Sequence, residues 1–329
     1  MFIEEIKRKA SLNKKWIVLP ESEDERTIRA AASALEDDTA YIILLGDELD
    51  IKESASEYGV NIAGAKIINP KTSDKIETYT NLLYELRKSK GMTLEKAHNE
   101  VINNKTMFAV LMVKAGDADG LVSGACHSTA DILRPTLQVI KTAPGIHTAS
   151  AAFVFDIPNC EYGEDGVILC ADCALTQDPT SAQLAEIGIS SARTFEALVG
   201  KEARVAFLSH STKGSAKHAM IDKVTEAVRL AHELDPTVKL DGELQLDAAL
   251  VADVAKSKAP ESEVAGKANV LIFPNLDAAN IGYKLIQRLA KAEAYSLLQG
   301  LDKPANDLSR GCFFEDIAGV IAITVLQAQ

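Results

Sequence analysis

The sequence lacks any run of about 18 consecutive apolar residues, the length that a membrane-crossing helix needs. Its opening stretch, MFIEEIKRKASLNKK, carries charge where a secretion signal needs an apolar core. No membrane span is expected, and the cytoplasm is the expected compartment. Cysteine is scarce, with Cys126, Cys160, Cys170, Cys173 and Cys312 making five in 329 residues. An odd count without a secretion signal argues against a disulfide framework. Cys170 and Cys173 form a C-x-x-C, but no second ligand pair stands nearby to complete a zinc site. A redox pair and a plain strand end followed by a turn both fit it, and the second is the simpler. Positive charge is in deficit, with a formal net charge of −12, which makes nucleic acid a poor partner. Only ten residues are arginine, so an Arg in an unusual local setting is a candidate for anion recognition. No G-x-G-x-x-G is present, which removes the usual dinucleotide fingerprint.

What is present reads as a globular protein. Hydrophobic residues make up 47% and charged residues 25%, and the length predicts about two domains. Short, continuously apolar runs predict strands covered on both faces: 16–19, 41–45, 66–68, 120–123, 152–155, 167–170, 205–209 and 270–273. Helical patterns lie between them, at 24–35, 74–88, 214–234 and 278–291. The second carries Ile76, Tyr79, Leu82, Leu83 and Leu86 at spacings of three and four. This alternation predicts an α/β fold with mostly parallel, doubly wound sheets, whose ligands sit at the carboxyl ends of strands. Breaks at Ala143-Pro144-Gly145 and around 302–304 predict a discontinuous first domain, residues 1–146 plus 296–329, with 147–295 inserted as a second.

Three stretches have the residue types that bind anions. In DGLVSGACHSTADILR, Asp119–Arg134, an apolar strand runs into Ser123-Gly124, then His127, Ser128 and Thr129, then a helix. Backbone N–H groups, hydroxyls and a helix N-terminus together suit a phosphate. Arg134 precedes Pro135, which biases it away from helix and toward a helix start. Helix capping by Ser128, Thr129 or Asp131 accounts for the same pattern. VAFLSHSTKGS repeats the logic with Ser211, Thr212, Lys213 and Gly214, without the glycine framework of a Walker loop. In DLSRGCFFED, Ser309 and Arg310 sit beside a glycine, and Asp316 follows Ser309 by seven residues, two helical turns if a helix begins early. A loop with Arg310 paired to Asp316 and Ser309 as a cap accounts for the same residues and, on pattern alone, is the simpler reading. Arg87 closes a helix, where the helix C-terminus alone accommodates it. His127 and His210 lack a second ligand at metal spacing and read as polar lining.

Taken together these stretches closely resemble the phosphate acetyltransferase (phosphotransacetylase) family. The resemblance covers nearly the whole chain: LPESEDERT, YELRKSKGMT, ADGLVSGACHSTADILRPTLQ, FLSHSTKGSAKH, DGELQLDAAL, ANVLIFPNLDAANIGYKLIQRL and DLSRGCFFEDIAG, in order. It implies two α/β/α domains similar to those of isocitrate and isopropylmalate dehydrogenases, with the site in the interdomain cleft, and a homodimer. It implies reversible acetyl transfer between acetyl phosphate and coenzyme A, the latter a co-substrate, with no metal and no permanently bound cofactor. It implies Asp316 as the base for the thiol, Ser309 as a hydrogen-bonding partner of that thiol, and Arg310 against the developing negative charge. Arg87 and Arg134 then grip the phosphoryl group. Ser128, Thr129 and the Ser211–Gly214 loop line the acyl phosphate pocket, with Tyr283 and Lys284 approaching from the second domain. Attack is direct in a ternary complex, so Cys160 and Cys312 lie near the site without acting as nucleophiles.

The chain departs from the family pattern at Ser22, Ala279, Tyr295-Ser296 and Phe313, none of them a proposed catalytic group. A phosphate butyryltransferase is the nearest rival, and the Ser-Arg-Gly-Cys block favours the acetyl enzyme. A non-catalytic effector-binding module fits less well because Ser309, Arg310 and Asp316 are kept. A nicotinamide-dependent dehydrogenase fails for want of a dinucleotide loop.

Overall fold

The computed structural model describes residues 2–329 and divides them into two compact units. The terminal unit comprises Ile3–Ala143 and Leu301–Gln329; the inserted unit comprises Phe2 and Pro144–Gly300. The chain begins α1 (Phe2–Leu12), β1 (Trp16–Leu19), α2 (Glu25–Glu36), β2 (Tyr41–Leu45), α3 (Glu48–Glu57), β3 (Lys66–Ile68) and α4 (Ile76–Arg87). It continues with α5 (Leu94–Asn103), α6 (Lys105–Ala115), β4 (Gly120–Ser123) and α7 (Thr129–Val139). Next come β5 (Ser150–Asp156), β6 (Val167–Ala171), α8 (Ser181–Val199), β7 (Arg204–Leu208), α9 (Ala219–Leu234) and β8 (Lys239–Leu244). Two short helices, α10 (Leu246–Leu250) and α11 (Ala252–Lys258), precede β9 (Val270–Ile272), α12 (Leu276–Leu289) and β10 (Glu293–Gln299). The chain closes with β11 (Ala305–Asp307) and α13 (Phe314–Gln327).

The terminal unit is a parallel sheet in the order β11-β4-β1-β2-β3. Its inner strands β1, β2 and β4 are short and apolar because both faces are covered; every residue of β4 is buried. One face packs α6, buried from Thr106 to Val113 without interruption, which explains its lack of a polar stripe. Along this sheet β1 has β2 on one side and β4 on the other, so the winding reverses between β1 and β4. Loops leaving the carboxyl ends at such a reversal diverge and leave room for a ligand.

The inserted unit has a mixed sheet ordered β10-β5-β6-β9-β7-β8, parallel from β6 to β8 and antiparallel at β10, β5 and β6. The expected boundary at residue 296 falls inside β10. That strand pairs with β5 from Glu293 to Gln299, so the whole strand belongs to the inserted unit and the break moves to Gly300. At the other break, 144–146 join the inserted unit, and Gly300 packs against the Thr148 carbonyl and Ile146.

Candidate active site

Three neighbouring strands of the terminal unit, β1, β4 and β11, deliver their carboxyl-end loops side by side: Pro20–Asp24, Gly124–Ser128 and Leu308–Phe313. The register places Ser123 opposite Asp307. Gly124 lets the last two loops touch, because a Cβ there would lie 2.5 Å from Asp307 Oδ1 and 2.6 Å from the Leu308 nitrogen. Its φ of +113° also disfavours any side chain.

The backbone N–H groups of Gly124–His127 are expected to face a ligand. Instead they face Glu21. Its Oε2 accepts from Gly124 at 2.7 Å and Ala125 at 2.8 Å, and its Oε1 from Cys126 at 3.1 Å and His127 at 3.0 Å. The His127 ring adds Nδ1 at 2.7 Å from Oε1. Burial opposes ionisation of this carboxyl, but the hydrogen bonds from His127 and from the N–H groups outweigh it and hold it below the usual carboxylate range. A nest of N–H groups recruits an anion, and here the anion is built in. Beside it, burial and the Glu21 charge push the Cys126 thiol up to about 12, so it is no thiolate. Donor atoms of Glu21, Cys126 and His127 lie within 4.8 Å of one another, yet the carboxylate oxygens are already engaged by N–H groups.

Two further residues that the motif reading missed organise these loops. Arg26, on α2, donates to the carbonyls of Arg310 (2.9 Å), Cys312 (3.0 Å) and Ala125 (2.7 Å), and is itself held by Asp24 at 2.7 Å. Burial, with Glu21 nearby, outweighs the favourable influence of the Thr129 hydroxyl on the Asp307 carboxylate and pushes this carboxyl up to about 6. An Asp before Ser-Arg-Gly was the available signal for the second; the first had none, because a backbone-stapling Arg has no sequence pattern.

The arginines separate cleanly. Arg8, Arg26, Arg29, Arg193, Arg204 and Arg229 are ion-paired. Among the described residues, Arg87, Arg134, Arg288 and Arg310 have no ion pair and no side-chain hydrogen bond. Three of those four are expected site residues, and all three belong to the terminal unit. The Nε of Arg87, at the end of α4, is buried without a partner. Arg134 lies inside α7, which runs through Pro135 rather than starting after it. The helix begins at Thr129, with Ser128 in the N-cap position, its hydroxyl donating to Asp131 at 2.6 Å. The helix therefore starts upstream of the Pro signal, and Thr136 back-bonds to Ile132 beside it. Arg134 and His127 line a cavity of about 620 Å³ with Lys105, Glu23, Asp131 and Met92.

Ser309 and Arg310 are exposed in a turn closed by the Cys312 N–H on the Ser309 carbonyl at 2.9 Å. The helix after them begins late, at Phe314, so Ser309 and Asp316 do not share a helical face and Ser309 is not the cap. Asp316 sits in the first turn of α13, where its Oδ2 accepts the Phe313 N–H at 2.8 Å. Carboxylates are favoured there.

In the inserted unit the Ser211–Gly214 loop is likewise closed on a buried glutamate. Glu243 Oε1 accepts from Ser211 Oγ at 2.7 Å and from the Gly214 N–H at 2.8 Å. Ser211 and Thr212 are buried, the Thr212 hydroxyl accepting from the Gln245 N–H at 2.9 Å. Lys213 pairs with Asp241. The N–H groups of this loop serve the fold rather than forming an open phosphate cradle. Tyr283 stacks on Phe153, centroids 4.6 Å apart, with Lys284 over its ring at 5.6 Å. Cys170 and Cys173 are buried free thiols at the end of β6, the strand-end reading of C-x-x-C; burial pushes Cys170 up to about 12.

Residues 1–325 match the family described as Phosphate acetyl/butaryl transferase. The chain is 54% identical to the phosphate acetyltransferase of Thermoanaerobacterium thermosaccharolyticum over 328 residues, covering 99% of each. Among solved structures, it is similar to a phosphotransacetylase from Streptococcus pyogenes with a TM-score of 0.93 and 42% identity, covering 99% of this chain and 98% of that one. It is also similar to the EutD phosphotransacetylase from Staphylococcus aureus, with a TM-score of 0.91 and 42% identity, covering 100% and 98%. The chain belongs to the phosphate acetyl/butaryl transferase family.

Proposed function

We propose that the protein catalyses reversible acetyl transfer, acetyl phosphate plus coenzyme A giving acetyl-CoA plus phosphate. The observation that carries the reading is the pairing state of the arginines. In a protein of net charge −12, Arg87, Arg134 and Arg310 of one unit have no ion pair and no side-chain hydrogen bond among the described residues. Guanidinium forks suit phosphoryl oxygens, and unpaired cations in an acidic chain are what a doubly anionic substrate requires.

In this reading Asp316 takes the proton of the coenzyme A thiol. The sulfur then attacks the acetyl carbon, the carbon–oxygen bond to the phosphoryl group breaks, and phosphate leaves with the bond pair. A free thiol ionises near pH 8.5, so a positioned base matters at neutral pH. Ser309 hydrogen-bonds the sulfur, and Arg310 faces the oxygen on which charge develops. Arg87 and Arg134 hold the phosphoryl group, with Ser128 and Thr129 lining its pocket. Tyr283, Lys284 and, in the Ser211–Gly214 loop, the exposed Lys213 and Gly214 are substrate-binding elements of the inserted unit, with Ser211 and Thr212 holding the loop's shape from inside. Attack is direct, without an acyl-enzyme, a metal or a permanently bound cofactor.

The proposed compartment is the cytoplasm. No helix of the described residues is long and apolar enough to cross a membrane, and all five cysteines are free. A homodimer is supported by α12, which exposes Ile281, Leu285 and Leu289 on one stripe, Leu289 by 78%.

The test is thioester formation from acetyl phosphate and coenzyme A, beside butyryl phosphate. Turnover with acetyl phosphate preferred is the expected result. A preference for butyryl phosphate overturns the acyl assignment, and absence of thioester with either overturns the reaction.

A further inference from the structure

The geometry points to His127, oriented by Glu21, as an additional ligand of the phosphate group in the cavity that Arg134 lines. This inference rests on the acyl phosphate reading for the identity of the anion.

The ring is not free to turn. Glu21 Oε1 takes the His127 N–H at 3.0 Å and Nδ1 at 2.7 Å, so main chain and side chain of one residue are fixed by one oxygen. Glu21 is itself immobile, being 1% exposed and held by three more N–H groups. The hydrogen bonds keep this carboxylate ionised, so it demands a proton on Nδ1. That fixes the tautomer: Nε2 is bare in the neutral ring and carries a proton only in the imidazolium. The ring is 42% exposed and lines the same cavity as Arg134. These loops leave β1 and β4, the strands between which the sheet reverses, where ligands of such folds collect.

Besides Glu21, the Cys126 thiol lies 3.5 Å from Nδ1, and charged groups from several elements line the cavity with the ring. Asp131 and Arg134 come from α7, Lys105 from α6 and Glu100 from α5, with Glu23 after β1. Lys105 is neutralised by Glu23 at 2.7 Å, and Asp131 holds the Ser128 hydroxyl. Among the described residues, Arg134 is the cation of that lining without an ion pair or a side-chain hydrogen bond. An imidazolium beside it supplies a second N–H donor to a phosphate oxygen, and Glu21 offsets the repulsion between the two cations. His127 is thus a phosphate ligand, and Glu21 is a positioning residue that acts through it.

The test compares wild type with His127→Ala and His127→Gln in the acetyl-CoA plus phosphate direction, from about pH 5.5 to 8.5. Equilibrium binding of inorganic phosphate is measured in parallel, and thermal unfolding checks that each variant folds. His127→Ala is expected to raise the KM for phosphate by about tenfold or more at the acid end, leaving the KM for acetyl-CoA unchanged. Relative to wild type, the advantage fades as pH rises, which a purely structural role does not predict; phosphate's own titration is common to all three proteins and cancels. His127→Gln, with an amide N–H near the Nε2 position, is expected to restore part of the affinity without the pH dependence. Equal KM values and equal pH profiles for wild type and His127→Ala overturn the inference. If wild type makes no thioester yet binds phosphate, and His127→Ala weakens that binding, the acyl-transfer reading fails and the phosphate site stands. If wild type binds no phosphate, the site is overturned.

Discussion

Arg26 donates to the backbone carbonyl of Arg310 at 2.9 Å, so one arginine fixes the main chain of another. The same guanidinium holds the carbonyls of Cys312 and Ala125 and therefore ties the Ser309–Cys312 turn to the loop after β4. A lysine has one nitrogen and cannot bridge three carbonyls with this geometry. Arg26→Lys is expected to lower kcat/KM for thioester formation by about tenfold or more, with a small change in thermal midpoint. Steady-state kinetics beside a melting curve measure both. Unchanged kinetics show that the turn holds Arg310 without the staple.

Asp316 has two functions to separate. Its Oδ2 accepts the Phe313 N–H at the start of α13, and it is the proposed base. Asn keeps a side-chain acceptor for the cap but has no basic oxygen. Asp316→Asn is expected to reduce kcat by about a hundredfold or more while the helix stays intact. Asp316→Ala adds loss of the cap, about 1 kcal/mol. A fully active Asn variant assigns the thiol proton elsewhere and leaves Asp316 as a cap only.

Asp307 predicts a pH effect with a definite sign. Its folded carboxyl is raised from 3.8 to about 6, so the folded state binds the proton more tightly than the unfolded chain does. Stability from this group is complete below about pH 4 and is lost as pH rises through about 6. Asp307→Asn is expected to remove that loss, on the order of 2 kcal/mol across the window. Denaturant melts of both proteins at pH 4.5 and about pH 7 check it. Parallel pH dependence in the two means that Thr129 and the loop relax to solvate the carboxylate.

The apolar strands were legible because burial on both faces leaves continuous hydrophobic runs; β1, β2, β3 and β4 fall on the expected residues. Three strands were not. β8, KLDGEL, carries Glu243 inward to hold the Ser211–Gly214 loop, and its polar letters hide the strand. β10 lies antiparallel at an edge, where the pattern mixes Glu, Ser and Gln with apolar residues. β11 is only Ala-Asn-Asp, with Asn306 buried and bonded to Thr324 at 2.8 Å. The residues of the candidate site divide in the same way. Arg87, Arg134 and Arg310 were visible as arginines in odd settings, and Ser128 as a cap. Glu21 and Arg26 were not, because their partners are main-chain atoms about 100 to 290 residues away in sequence, and no local spacing encodes that.

Gly188 gives a prediction that helix propensity gets wrong. It lies mid-way along α8, where Gly→Ala ordinarily stabilises by up to about 1 kcal/mol. Here a Cβ would stand 2.4 Å from Cζ of Phe207, a fully buried ring on β7. Gly188→Ala is therefore expected to destabilise by about 1–3 kcal/mol, because the ring has no empty space to move into. Phe207→Leu shortens the side chain and leaves a void, destabilising on its own. The double variant is expected to be more stable than the sum predicts, by about 1 kcal/mol, since the new methyl fills what the ring vacates. Unfolding free energies for the four proteins close the cycle. Strict additivity means that α8 shifts away from the sheet instead, and that the contact between Gly188 and Phe207 does not set their spacing.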